Sequence, residues 1–240
     1  MPAQFSNPLL PVTSNLILLL DANDRNSYPG TGNVWFDVSG YEHNAIKTSD
    51  VNSPQWNSLG YFNFSAGVVG NNAQFVITNT PTLTNLTQQT VVLIHTLQTK
   101  TLASGDTSWM ALYSKKDPDQ RVAVSINQTG PGSSFRYLHI ETPTAFDSVA
   151  DLYTNYTGDK YYFTVARIGA SSSQGFLNGV QVSNAALTTT GNSQDIVIGG
   201  DGDNEMFRGK MGVVSLYNRA LSDSEIVSLY NYYKLRFNYD

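Results

Sequence analysis

Hydrolysis of a glycosidic bond needs two carboxyl groups about 5–9.5 Å apart, on either side of the sugar. On a single β-strand, carboxylates sharing a face stand two residues apart. The sequence holds four glutamates, Glu42, Glu141, Glu205 and Glu225, and none belongs to such a strand pair. Glu141 follows His139 by two residues within a β-like run, so the two share a face. They could form an acid/base couple, but a polar pair on an exposed strand face accounts for them without chemistry. Nucleophilic triads require Ser or Cys with His and a carboxylate. The chain has no Cys, its histidines are His43, His95 and His139, and no Gly-x-Ser-x-Gly elbow occurs. His95 interrupts the apolar run Val91–Ile94 and is expected on the opposite side of a strand. His43 sits in a loop after Trp35-x-Asp37-x-Ser39-Gly40. There Asp37 can bond the backbone two residues on, and Gly40 can take a conformation that other residues avoid. No catalytic residues and no enzyme activity are expected.

The ligand candidate is Gly200-Asp-Gly-Asp-Asn-Glu205, where Asp201, Asp203 and Glu205 crowd hard oxygens into one turn. Such density suits Ca²⁺, although the spacing is not that of an EF-hand, and a solvated acidic turn has the same composition. A second acidic loop, Asp117-Pro-Asp119, is weaker because Lys115 and Lys116 adjoin it. Sugar binding would use exposed aromatic faces. Trp35, Trp56, Trp109 and 14 tyrosines are available, although aromatics in an all-β chain belong more often to the core. Asn63, Asn85, Asn127 and Asn155 begin Asn-x-Ser/Thr sequences, incidental in an Asn- and Thr-rich chain.

The elements that must position these groups are short strands. Runs rich in Val, Ile, Tyr, Phe and Thr predict strands at Leu16–Leu20, Tyr61–Phe64, Gln74–Ile77, Thr90–Leu97, Trp109–Tyr113 and Val122–Ile126. Further strands are predicted at Phe135–Ile140, Tyr161–Arg167, Gly175–Val182, Asp195–Ile198 and Met211–Tyr217. Asn178-Gly179 inside the ninth of these is a turn or bulge signal. Near the end, Ser222 and Glu225 have the spacing of a capping box. Ile226, Leu229, Tyr230 and Tyr233 then follow as one apolar helical stripe, so a helix over 222–234 must pack on the strands.

The 240 residues suit one sandwich, with no repeat or interdomain linker. Residues 1–12, with Pro2, Pro8 and Pro11, read as an extended arm before a domain over 13–240. Absence of Cys excludes disulfides and thiol chemistry. The start of the chain shows no basic and apolar leader pattern, which favours assembly inside the producing cell. Charged residues are 14%, the net charge is −5, and Lys115-Lys116 is the sole basic pair, so nucleic-acid binding lacks its electrostatic footprint. The apolar run Leu16–Leu20 is too short for membrane insertion.

Four segments carry a family resemblance. FRGKMGVVSLYNRALSDSEI (Phe207 to Ile226) resembles the closing strand and helix start of laminin-G-like jelly rolls in the concanavalin A-like lectin/glucanase superfamily. LLLDANDRNSYPGTGNVWFDVSG (Leu18 to Gly40) resembles their opening, and YYFTVARIGASSSQGFLNGVQV (Tyr161 to Val182) their late hairpin. LYNYYKLRF (Leu229 to Phe237) is similar to the tail of such domains in phage virion proteins. The resemblance implies an all-β, two-sheet antiparallel jelly-roll sandwich with a short C-terminal α-helix. It further implies a non-enzymatic virion protein, a capsid decoration or a fibre or tail component, with capsid or fibre subunits, a host glycan or further copies as partners. A secreted or surface lectin is the alternative and a glycoside hydrolase the third reading, since this fold hosts all three.

Overall fold

The computed structural model describes residues 10–48, 53–64, 73–98, 109–115, 122–128, 135–142, 145–149, 160–202 and 205–237. In chain order the strands are β1 (Leu16–Asp21), β2 (Val34–Trp35), β3 (Ala45–Lys47), β4 (Gln55–Asn57), β5 (Tyr61–Phe64), β6 (Phe75–Ile77), β7 (Gln89–His95) and β8 (Trp109–Lys115). They continue as β9 (Val122–Gln128), β10 (Phe135–Thr142), β11 (Ala145–Val149), β12 (Tyr162–Ile168), β13 (Ser173–Leu177), β14 (Val180–Gln181), β15 (Ile196–Ile198) and β16 (Gly209–Tyr217), and the helix α1 (Asp223–Lys234) follows.

These form two antiparallel sheets. The first runs β14-β13-β12-β7-β16-β5-β4, and β1 also pairs with β16. The long strand β16 divides one edge between two partners: Gly209–Met211 pair with β5, and Val213–Tyr217 with β1. The second sheet runs β11-β10-β9-β8-β15-β6-β3-β2. This is the expected jelly-roll sandwich with its C-terminal helix.

The sequence pattern explains which face each strand buries. Strand β7 reads as a continuous apolar run because both of its faces are covered. Val91 and Leu93 enter the core between the sheets, with Phe62, Phe75, Leu112 and Ile198. Val92 and Ile94 lie on the outer face, under Ile226, Leu229 and Tyr233 of α1. The helix is held there as its cap predicts. Glu225 N–H donates to Ser222 Oγ at 3.3 Å, and Ser222 N–H donates to Glu225 Oε2 at 2.8 Å. Arg219 grips the same carboxylate with two bonds of 2.8 and 2.6 Å.

The predicted strand at Gly175–Val182 is instead a hairpin. Asn178 and Gly179 both have positive φ (50° and 79°), which makes them the two central residues of a type I′ turn between β13 and β14. A Cβ at Gly179 would lie 2.9 Å from the Tyr230 ring, so this turn also seats the helix. Strands β2, β3, β4 and β11 lie outside the predicted set. The first three are two or three residues long, too short for an alternation to register, and β11 carries a central Asp147.

At the N-terminal side, residues 1–9 lie outside the described residues. Leu10 and Val12 pack against the helix layer, and Tyr217 Oη donates to the Val12 carbonyl at 2.9 Å. The described end of the expected arm therefore lies on its own domain.

Candidate functional site

His43, His95, Asp37 and Asp201, all singled out for chemistry, have structural roles. His95 does lie opposite Ile94, but that side of β7 is the core, and the ring is fully buried. Its Nε2 stands 2.9 Å from Thr164 Oγ1, and Tyr162 and Phe207 flank the ring. Burial lowers its pKa to about 3, so the imidazole is neutral at physiological pH. His43 bridges the Ile17 carbonyl (2.8 Å) and Thr80 Oγ1 (2.9 Å). Asp37 organises the loop before it, accepting from the N–H groups of Leu19, Ser39 and His43 and from the Ser39 hydroxyl. His139 and Glu141 both lie on β10, with Glu141 half-buried, and the side chain of His139 is outside the described residues.

In the expected calcium loop, Asp201 is buried and its Oδ1 accepts the Glu205 N–H at 3.1 Å. Asp203 lies outside the described residues, as do Lys116, Asp117 and Asp119. Among the described residues no three His, Cys, Asp or Glu side chains cluster to hold a metal. The Asp201 carboxylate thus caps the backbone of its own loop at Glu205. Lys115 is also internal. Its ammonium donates to Asn79 Oδ1, the Leu83 carbonyl and the Asn192 carbonyl at 3.1, 2.6 and 3.1 Å, while burial lowers its pKa to about 8.

Two of the three tryptophans follow the same pattern, and Trp109 is half-buried at the start of β8. Trp35 is fully buried between Phe62 and Phe75. Trp56 donates its indole N–H to the Ala22 carbonyl at 2.9 Å.

A cleft that the sequence did not single out opens on the outer face of the first sheet, beyond the end of α1. Its volume is about 230 Å³, and Asn23, Leu59, Tyr61, Tyr161, Lys210, Arg236 and Phe237 line it. Alternation along β5 places Phe62 and Phe64 in the core and turns Tyr61 outward. Lys210 pairs with Asn63, so it shares the Tyr61 face as a diagonal neighbour, and its Nζ lies 5.1 Å from the Tyr61 ring centre. The next same-face position on β16 is Gly212. A Cβ there would come within 2.7 Å of the Phe237 ring, so glycine provides the space in which Phe237 lies against the sheet. Tyr161 packs on Phe237 with ring centres 4.9 Å apart. Arg236 is fixed by two 2.6 Å bonds to buried Asp21, and its guanidinium covers the Phe237 ring at 4.6 Å. Arg236 and Phe237 of the Lys-Leu-Arg-Phe tail thus clasp it to the first sheet and form one wall of the cleft. Leu59, 77% exposed, stands at the rim.

A second hollow, about 290 Å³, lies between Pro11–Ser14 and the first turn of α1. Its ionisable lining group, Glu225, is already held by Arg219 and the capping box, and it offers no aromatic face. The smaller, aromatic cleft has the chemistry of a binding site.

Residues 69–227 match the family model described as the concanavalin A-like lectin/glucanases superfamily. The chain belongs to this family. No curated protein matches it. Among solved structures, the concanavalin A-like chain is similar to Trypanosoma rangeli sialidase in complex with sialic acid, at 19% identity and a TM-score of 0.64, covering 95% of this chain and 34% of the sialidase. It is similar to the botulinum neurotoxin serotype D binding domain at 13% identity and a TM-score of 0.62, covering 92% of this chain and 52% of the other. The binding domain of Paraclostridial Mosquitocidal Protein 1 gives 14% and 0.62, with 92% and 53% covered. The chain therefore spans about a third of the sialidase and about half of each binding domain, and at these identities the likeness is one of fold.

Proposed function

We propose that this concanavalin A-like chain is a non-enzymatic, lectin-like module that binds carbohydrate in the Tyr61–Tyr161–Lys210 cleft. The observation that carries this reading is the cleft itself: half-buried aromatic side chains beside polar groups, in an open hollow on a rigid sheet. Aromatic faces pack on the apolar side of a sugar ring while flanking donors and acceptors take its hydroxyls. Six of the described carboxylates fit a non-catalytic role. Asp21, Asp37, Asp195, Asp201, Asp223 and Glu225 each hold an arginine or a backbone N–H, which fixes the fold and leaves them out of an acid pair. Two of the similar structures are themselves binding domains.

The module's setting belongs to the same proposal: a virion, as a capsid decoration or a fibre or tail component. The resemblance of Leu229 to Phe237 to the tails of phage virion domains supports this, as does a chain with 14% charged residues and no Cys. Co-purification with particles tests the setting. A glycan array probed with the chain and with Tyr61→Ala tests the binding. Wild-type hits that weaken at least tenfold in the variant are expected, and hits that persist at full strength would place binding elsewhere.

A further inference from the structure

The carboxylate that holds the tail also sets one wall of the cleft. Arg236 grips both oxygens of Asp21 at 2.6 Å, and Asp21 Oδ1 also accepts the Asn23 N–H at 2.9 Å. Ala22, between them, is tied on both sides. Its N–H donates to the Gly212 carbonyl at 2.9 Å, and its carbonyl accepts the Trp56 indole N–H at 2.9 Å. The Asn23 side chain in turn rests on Gly60. A Cβ at Gly60 would lie 2.5 Å from Asn23 Cβ and 2.7 Å from its Oδ1, so this glycine, with φ of 84°, leaves the room that the carboxamide occupies. Gly60 directly precedes Tyr61, and Asn23 and Tyr61 both line the cleft. Asn23 is nevertheless exposed. Its amide is fixed from behind and open in front.

Resting on the carbohydrate reading above, we infer that Asn23 is the specificity-determining residue of the cleft, and that the ligand is a pyranoside presenting two adjacent free hydroxyls to its carboxamide. A carboxamide carries an acceptor and two donors in one plane. Adjacent sugar hydroxyls, each both donor and acceptor, answer it with two hydrogen bonds at once. A ring laid on the Tyr61 face points its equatorial hydroxyls sideways, toward the wall where Asn23 stands. The backbone around Asn23 is already held through Asp21, Gly212 and Trp56, so binding loses little ordering entropy there. An analogue lacking either hydroxyl leaves part of the fixed amide unmatched, and the site discriminates against it.

The test is an array of gluco-, galacto- and mannopyranosides with the monodeoxy counterpart at each ring hydroxyl, probed with wild type, Asn23→Ala and Tyr61→Ala. The Asn23 backbone lies outside the left-handed region and bonds Asp21 through its main-chain N–H, so Asn23→Ala keeps both features. Unchanged melting temperatures verify that each variant is folded. Two deoxy positions, adjacent on the ring, should each weaken wild-type binding roughly three- to tenfold. In Asn23→Ala, binding of the parent sugar should fall about tenfold, and those two deoxy counterparts should bind as the parent does, a coupling that a merely structural role would not produce. Wild-type binding indifferent to every deoxy position, sensitive positions that are not adjacent, or a sensitivity that survives Asn23→Ala would overturn the inference, while loss in Tyr61→Ala kept the carbohydrate reading. No hit at all, or hits indifferent to Tyr61→Ala, would remove the carbohydrate reading and this inference with it.

Discussion

Acid should unfold this protein through His95. The ring is buried completely between the sheets and its pKa falls from the ordinary 6.5 to about 3. In the unfolded chain the same imidazole binds a proton below about pH 6.5. Between these values the unfolded state holds more protons than the folded one, so stability falls as pH falls through that window. At pH 4.5, two pH units below the unfolded value, the loss from this one group is roughly 3 kcal/mol. That is a large part of the 5–15 kcal/mol or so that holds a typical domain together. The perturbation is His95→Gln, which retains a side chain able to bond Thr164 and does not titrate. The assay is urea unfolding followed by tryptophan fluorescence at pH 7.5 and 4.5. Carboxylates, including Glu225 with its pKa held near 2 by Arg219, contribute equally to both proteins and cancel in the comparison. The wild type should lose roughly 3 kcal/mol more than the variant between the two pH values. Equal losses in the two proteins would show that the buried imidazole is not the acid-sensitive group.

Three other perturbations probe the parts that shape the cleft and its support. Gly212→Ala should displace Phe237, since the added Cβ would meet its ring at 2.7 Å; a cost of about 1–3 kcal/mol and loss of glycan binding are expected, and a neutral effect on both would detach the tail clasp from the site. Ser222→Ala should cost about 0.5–2 kcal/mol through the cap, and Leu229→Ala, fully buried against the sheet, about 2–5 kcal/mol; near-zero values in thermal unfolding for both would mean that α1 does not dock. Excess chelator should leave the melting temperature unchanged, because Asp201 already caps its own loop through the Glu205 N–H; a fall on chelation, reversed by Ca²⁺, would instead assign the Asp201–Asp203–Glu205 loop to calcium.

The sequence shows the scaffold because local rules and packing agree there. The Ser222 and Glu225 spacing forms the predicted cap, and the Ile226, Leu229 and Tyr233 stripe meets the outer face of β7 and β16. Short edge strands such as β2 and β4 escape notice because two or three residues carry no alternation. The cleft is harder to read for a different reason. Its residues come from position 23 to position 237 and meet only after β16 pairs with β5 and the tail folds back. Local signals existed: outward Tyr61 ahead of the core-facing Phe62 and Phe64, and Gly212 opposite a terminal aromatic. Neither names a partner until the register is known. Conversely, the residue types that look most chemical, His43, His95 and Asp37, are hydrogen-bonded parts of the framework.

The most direct test of the central claim is the affinity of the folded chain for its best array glycan, measured by calorimetry for wild type and Tyr61→Ala. Tyr61 is half-buried on the sheet surface, so its truncation should leave the melting temperature nearly unchanged. The account predicts that affinity drops at least tenfold in the variant. An affinity equal to wild type in a folded Tyr61→Ala protein would contradict it.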